Sequence, residues 1–345
     1  EPSNFGRPWR SPDVLSQVLL RSGGTDITLE KPVQYRYDGK WVGDEKQKHV
    51  SVLPLVSVTL SPAIVVFPTR TNKKTRTVSV GALYKGTKPV TGSLSLTAPA
   101  GWNVEPEEAP LAFERENQAI TIRFRVTPPA TVPSGSYGIE ASVSLNGERY
   151  REGIQTIAYH HIQTRYLYHP AIAKVQVLDL QVAPVKVGYV VGVGDEVPAA
   201  IRQLGLELEL LSEEELAEGD LSRYDVIMTG VRAYLNREDL KAYNHRLLDY
   251  VADGGTLLVQ YNKFEFNAAQ WGPYPKKVSR NRITVEETPM EILAPEHPVF
   301  NLPNKLTEND WDDWVQERGL YFLEEEGDPH YRELLAAEDP WEYNA

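Results

Sequence analysis

The chain has 345 residues, with 36 Lys and Arg against 48 Asp and Glu, a formal net charge of −12, and no cysteine. At roughly 100 to 200 residues per domain this is about two domains, and the missing thiols exclude disulfide scaffolds, thiolate zinc sites, iron–sulfur centres and a cysteine nucleophile. The acidic excess argues against a nucleic-acid partner, and no run of about 18 apolar residues offers a membrane span.

Taken from the N-terminus, Glu1-Pro2-Ser3-Asn4 carries neither a basic n-region nor an apolar h-region and no initiating Met, which predicts a piece cut from something longer. Residues 5–12 are a Pro-rich, non-periodic lead. Strands over 14–20 and 33–37 are too few for a domain alone, so residues 1–49 read as a linker with strands of a preceding or shared β-sandwich. Short segments over 50–60, 64–67, 77–83, 92–97, 119–126 and 137–145 are rich in β-branched residues and bounded by turn formers. Among them, Ile120-Thr121-Ile122-Arg123-Phe124-Arg125-Val126 alternates with period 2, the mark of one buried and one wet face. Turns fall at Pro99-Ala100-Gly101-Trp102, Pro128-Pro129 and Pro133-Ser134-Gly135, and Asn146-Gly147 is a two-residue hairpin signal. Residues 50–183 are therefore predicted to form an immunoglobulin-like antiparallel β-sandwich.

After Pro184 the period changes. Apolar strands over 185–191, 206–211, 224–229 and 256–261 alternate with helices over 196–204 and 237–252, the second opened by Asn236 as N-cap and stopped by Gly254-Gly255. This predicts a multidomain all-β plus α/β chain. Its last part, 184–345, is a doubly wound, flavodoxin- or amidotransferase-like parallel sheet buried on both faces. The tail from 264 is mixed, with a strand over 283–286 and a short helix near 332–337. Charge steps at the same boundary: residues 1–185 hold 21 basic and 16 acidic side chains, residues 186–345 hold 15 and 32.

In an open parallel sheet ligands bind beyond the carboxyl ends of the strands. That places Gly192, Gly194 and Asp195, then Gly230-Val231-Arg232, then Gln260-Tyr261-Asn262 around one crevice. The Gly-x-Gly lacks the third glycine of a dinucleotide fingerprint, and Asp195 would repel a pyrophosphate where it more naturally caps the following helix. The strand ending Val259-Gln260-Tyr261 leads into no nucleophile elbow, so no catalytic residue is assigned. His161 and His169 lie roughly 26 Å apart along a straight strand, too far for one metal. His297 is either a buried hydrogen-bonding residue or a lining group of the crevice. In Asn309-Asp310-Trp311-Asp312-Asp313-Trp314, carboxylates and two indoles suit a sugar or a cation, or else a capped turn with Trp anchors. Asp310 and Asp312 are the carboxylate pair offered for acid/base work. The ligand-binding candidates are thus Gly192, Gly194, Asp195, Arg232, Asn262, His297, Asp310, Trp311 and Trp314, with no metal ligand.

Several runs together resemble the C-terminal region of large bacterial deacetylases of the LmbE-like (PIG-L) family. They are Lys31-Pro32-Val33-Gln34-Tyr35-Arg36-Tyr37, the stretch 187–198, Gly230-Val231-Arg232-Ala233-Tyr234, the stretch 254–262, Pro303-Asn304-Lys305-Leu306-Thr307, and the stretch 314–322. The resemblance implies a parent enzyme, secreted or periplasmic, that hydrolyses N-acetyl groups on amino sugars. Its N-terminal zinc domain would precede β-sandwich modules similar to the galactosidase-associated sandwich, then an amidotransferase-like α/β domain that usually continues for a further strand and helix. The family's His-Pro-Asp-Asp motif is absent, since His169-Pro170-Ala171 and His297-Pro298-Val299 lack the aspartates. Zinc is therefore expected only in the catalytic domain, and no cofactor in this chain. The expected partners are that domain of the same polypeptide and a glycan, with no nucleic acid. Three readings follow: a non-catalytic accessory region with a substrate-positioning or glycan-binding role, a degenerate amidotransferase-like hydrolase using Asp195, Asp310 and Asp312, and a structural or protein-interaction module.

Overall fold

The computed structural model describes residues 12–39, 45–71, 74–162, 164–311, 319–324 and 327–339. They form two compact units. One holds the described residues up to Val65 with Thr75–Thr131 and Ser136–Val175; the other holds the described residues of Val66–Lys74, Val132–Gly135 and those from Gln176 on. No helix among the described residues is long and apolar enough to cross a membrane.

The first strands are two separate hairpins, β1 (Leu15–Ser22) with β2 (Thr25–Pro32), and β3 (Gln34–Asp38) with β4 (Glu45–His49). Neither hairpin extends a sandwich sheet. In the first, Val18 faces Leu29 and Leu20 faces Ile27 across the ladder, and all four stay about half exposed. The second is held from the side by Lys48 Nζ, which donates to the Tyr166 hydroxyl at 2.9 Å.

The sandwich strands are β5 (Val56–Ser61), β6 (Ile64–Arg70), β7 (Arg76–Tyr84), β8 (Val90–Thr97), β9 (Asn103–Glu105), β10 (Glu108–Phe113), β11 (Ala119–Thr127), β12 (Gly135–Leu145) and β13 (Glu148–Tyr150), followed by β14 (Glu152–Ile157), β15 (Arg165–Pro170) and β16 (Ile172–Gln181). One sheet runs β10-β8-β12-β16-β6, with β13 also on β12; the other runs β5-β7-β11-β9. Alternate burial decides the fold here. In β7, Val78, Val80, Ala82 and Tyr84 are buried while their neighbours are not, and in β11 Phe124 and Val126 are buried between exposed Arg123 and Arg125. Leu94, Ile139, Ala141, Val143 and Val175 supply the buried face of the other sheet. The Tyr84 ring stacks on Phe113 with centroids 4.9 Å apart, joining the sheets. Hairpin β14–β15, invisible in the sequence pattern, leans on β5: Ile154 N donates to buried Ser57 Oγ at 2.9 Å.

The second unit contains β17 (Lys186–Val190), α1 (Val197–Leu204), β18 (Glu207–Leu210), α2 (Glu213–Glu218), β19 (Val226–Thr229), α3 (Ala233–Asn236), α4 (Glu238–Ala242), α5 (Asn244–Ala252) and β20 (Thr256–Val259). The four strands form a small parallel sheet in the order β18-β17-β19-β20. Apolar clusters cover both faces: Val187, Tyr189, Ile201 and Leu208 pack together, and Val190, Ile227, Tyr234, Leu240 and Leu247 form a separate group. Because successive strand residues point to opposite faces, β17 contributes to both clusters, which is why it reads as a continuous apolar run. Ser212 and Glu215 form a capping box that starts α2.

Three local expectations are corrected. The single helix over 237–252 is broken at Tyr243 into α4 and α5, and Asn236 ends α3 instead of capping a helix. The break delivers Asn244 inward, where its Oδ1 accepts from the Tyr234 hydroxyl at 2.8 Å and its Nδ2 donates to Trp271 O at 2.9 Å. Residues 283–286 form no strand, because the Asp339 carboxylate takes the place of a neighbouring strand: Thr284 N and Val285 N donate to it at 2.8 to 3.0 Å. The helix near 332–337 is replaced by β22 (Leu335–Ala336), paired antiparallel with β21 (Glu291–Ile292); six residues are too few to hold a helix against an available sheet partner.

Two glycines separate conformational strain from steric exclusion. Gly147, at φ +86° beside Asn146 at φ +50°, closes the β12–β13 hairpin, and a Cβ there would meet open space. At Gly92 a Cβ would lie 2.1 Å from Ser144 O on β12. Gly147→Ala should cost about 1 kcal/mol, and Gly92→Ala should cost at least about twice that, because the strand must move. Urea denaturation of both variants checks the order.

Candidate functional site

The loops after β17, β19 and β20 converge at the carboxyl ends of the parallel strands. Gly192 must be glycine, since a Cβ would lie 2.0 Å from Val231 O, and Val193 N donates to that same carbonyl at 3.0 Å. Gly230 N donates to Val190 O at 2.8 Å and Arg232 N to Tyr261 O at 2.7 Å, so each loop is tied to the next. Gly194, at φ +108° in open space, is required by backbone conformation alone.

Asp195 is the centre of this arrangement. Its carboxylate accepts the hydroxyl of fully buried Tyr189 at 2.8 and 2.9 Å, Val197 N at the start of α1 at 3.0 Å, and Val231 N at 3.3 Å. Gln260 Nε2 donates to the Tyr189 oxygen at 2.7 Å, completing a chain from β20 through β17 to α1. Burial first, and the neighbouring Asp195 charge second, push the Tyr189 phenol far above its ordinary pKa, so it remains a neutral donor. These contacts make Asp195 a clamp between β17, the start of α1 and the loop after β19.

Arg232 stands in the left-handed region at φ +52° and its Nε donates to Glu265 Oε1 at 2.8 Å. Burial works against the Glu265 charge, but the hydrogen-bonded guanidinium outweighs it and the carboxyl titrates below its ordinary range. Asn262 is buried; its Nδ2 donates to Gln260 O at 2.8 Å, while its Oδ1 has no partner among the described residues. Gly192, Asp195, Arg232 and Asn262 thus belong to one cluster of interlocked loops, together with Gln260, which the sequence placed at the crevice, and with Tyr189 and Glu265, which it did not single out. Tyr189 was hidden inside an apolar run that reads as pure core, and Glu265 lies in a stretch without periodicity.

The remaining candidates are engaged locally. His297 Nδ1 accepts from Val299 N at 3.3 Å and starts the short turn Pro298–Phe300. Asp310 Oδ2 accepts Thr307 N at 2.6 Å and Thr307 Oγ1 at 3.1 Å, the geometry of a capped turn, and Trp311 follows it half-buried. Asp312, Asp313 and Trp314 lie outside the described residues. Among the described residues no group of three or more His, Asp or Glu is arranged to hold a metal ion.

Residues 71–146 match the family described as the NPCBM-associated, NEW3 domain of alpha-galactosidase, a span that runs from just before β7 to the turn after β12. No curated protein matches the sequence. Among solved structures, the chain is similar to the apo Calx CBD1 domain, with 13% identity, 37% of this chain and 100% of that chain covered, and a TM-score of 0.23. A FixG-related protein from Vibrio parahaemolyticus matches with 7% identity, 36% and 98% coverage and a TM-score of 0.24. The PapD-like domain 7 of human CEP192 matches with 16% identity, 38% and 92% coverage and a TM-score of 0.22.

Tyr189→Phe removes the hydroxyl shared by Asp195 and Gln260 and should cost about 1 to 3 kcal/mol, measured by chemical denaturation. Arg232→Ala should lower the melting temperature at pH 7. Because the Glu265 pKa is depressed in the folded state, the pair contributes above the ordinary carboxylate pKa and its contribution is lost as pH falls through the folded value. The difference in melting temperature between wild type and Arg232→Ala should therefore close on acidification to about pH 3.

Proposed function

We propose that this chain is a non-catalytic accessory region of a carbohydrate-active enzyme, serving to bind or position a glycan. The observation that carries the reading is the match of residues 71–146 to a domain associated with a galactosidase, falling on strands that form an antiparallel sandwich. The strand-end cluster of the second unit supports it from the chemical side: its best-placed carboxylate is engaged by three donors, one each from β17, α1 and the loop after β19, which makes it a structural clamp.

The narrower form of the proposal rests on the resemblance to LmbE-like (PIG-L) deacetylases. In that form the partner is an N-terminal deacetylase domain of the same polypeptide, the substrate an N-acetylated amino sugar, the second unit a doubly wound, amidotransferase-like domain, and the setting secreted or periplasmic. Zinc would reside in the partner domain. Among the described residues His297 caps its own turn and His169 stands beside Pro170-Ala171 without a carboxylate pair, an arrangement that does not fit a zinc site.

Glycan-array binding of the whole chain tests the proposal. Retention of amino-sugar oligomers that falls at least about ten-fold in a Trp311→Ala, Trp314→Ala double variant is expected, a loss typical of removed aromatic stacking partners. Acetate release from N-acetylglucosamine oligomers by this chain alone would overturn the non-catalytic reading, and absence of any glycan retention would overturn the binding role.

A further inference from the structure

Beside β20 lies a cavity of about 510 Å³, within the size range of sites that enclose small molecules. Leu257 and Val259 of β20 and Leu248 and Val251 of α5 form an aliphatic wall, and Phe266, Trp271, Tyr321 and Phe322 add aromatic surface. Tyr321 is fixed at φ +64°, with Phe264 edge-on at 4.8 Å and Lys263 Nζ over its ring at 4.8 Å, so this wall is preformed.

The polar groups of the cavity divide into committed and uncommitted ones. Gln260 donates to Tyr189, the Tyr331 hydroxyl donates to Tyr274 O at 3.0 Å, and Lys276 Nζ stands 3.8 Å from a Glu333 carboxylate oxygen. Two buried atoms in lining residues have no hydrogen-bond partner among the described residues: Asn262 Oδ1, an acceptor, and Trp271 Nε1, a donor. Leaving each unsatisfied costs about 1 to 3 kcal/mol, so an occupant that supplies a donor and an acceptor gains more here than from the apolar walls alone. A pyranose carries hydroxyls around its whole rim and would strand most of them against aliphatic side chains. A flat ring with a single hydroxyl or carboxamide, each of which both donates and accepts, matches the two free atoms.

We propose that this cavity binds a small, largely apolar ring compound bearing one hydroxyl or amide group, through stacking on its aromatic wall and hydrogen bonds to Asn262 and Trp271. The inference does not rest on the glycan-accessory reading, and the two fail separately.

The whole chain is titrated with phenol, benzamide, toluene and N-acetylglucosamine, followed by saturation-transfer NMR and tryptophan fluorescence. Phenol and benzamide should bind saturably. Asn262→Leu should weaken phenol by about ten-fold, the size of one buried hydrogen bond, while toluene changes by less than about two-fold. Val259→Trp, at a wall position 40% exposed and so tolerant of a larger side chain, should abolish binding of both with an unchanged circular dichroism spectrum. If Asn262→Leu does not fold, the Val259→Trp result decides. Absence of saturable phenol and benzamide binding, binding unchanged in Val259→Trp, or equal losses for phenol and toluene in Asn262→Leu would overturn the inference. So would preferential binding of N-acetylglucosamine in the cavity. Glycan retention that survives Val259→Trp leaves the accessory role standing on its own.

Discussion

One carboxylate organises the second unit. Asp195 draws the Tyr189 hydroxyl out of the sheet, the first amide of α1 and the amide of Val231 to a single point, and Gln260 closes the chain from β20. The parallel ladder fixes where the strands run, but it leaves the loops at their carboxyl ends free to diverge. The Asp195 contacts remove that freedom, and the glycines at 192 and 230 exist because the loops are held so close that a Cβ would strike backbone or the clamp itself. Arg232, in a conformation few side chains adopt, is thereby aimed at Glu265, and the backbone that follows is set on course to form the neighbouring cavity. The half-buried carboxylate is engaged by three donors at once, each a charge-assisted hydrogen bond. The same contacts hold the strand-end loops to one another.

How much of this could be read in advance depended on whether the controlling interaction was local. The sandwich strands were legible because alternation in segments such as β11 is imposed residue by residue through burial. The Asn146-Gly147 turn was legible because both residues tolerate positive φ. Asp195 was legible at the start of α1, where it accepts Val197 N although Glu196 holds the N-cap position, but not as a partner of Tyr189, since the phenol sits in an apolar strand whose pattern announces only burial. The failures fall where side chains from far along the chain substitute for regular structure. Asp339 satisfies the amides of Thr284 and Val285 across more than fifty residues, and Asn244 breaks a helix to reach Tyr234 and the carbonyl of Trp271. The cavity was the least visible feature of all. Its walls come from β20, α5 and an aperiodic tail, and of these only the segment Gln260-Tyr261-Asn262 had been placed at the crevice from the sequence.

The two units differ in how they resist change. The sandwich is stabilised by many apolar side chains on alternating positions, so its loops can vary at small cost while its core cannot. In the second unit the strand-end loops are joined through shared polar contacts, and single substitutions there propagate, because losing one donor leaves the others around an incompletely paired charge.

The edge position of β20 has a consequence for handling the protein. Its outer row of amides and carbonyls faces no further strand among the described residues, and Leu258 and Val259 are each at least 40% exposed. Such an edge is a template for strand addition between molecules. What opposes it is the surplus of acidic side chains in residues 186–345, 32 against 15 basic ones, which makes copies of this half repel one another. Salt screens that repulsion without weakening strand pairing. Self-association on warming should therefore grow with ionic strength, as light scattering would register, because the charge that opposes the edge contact is spread over half the chain and is open to screening.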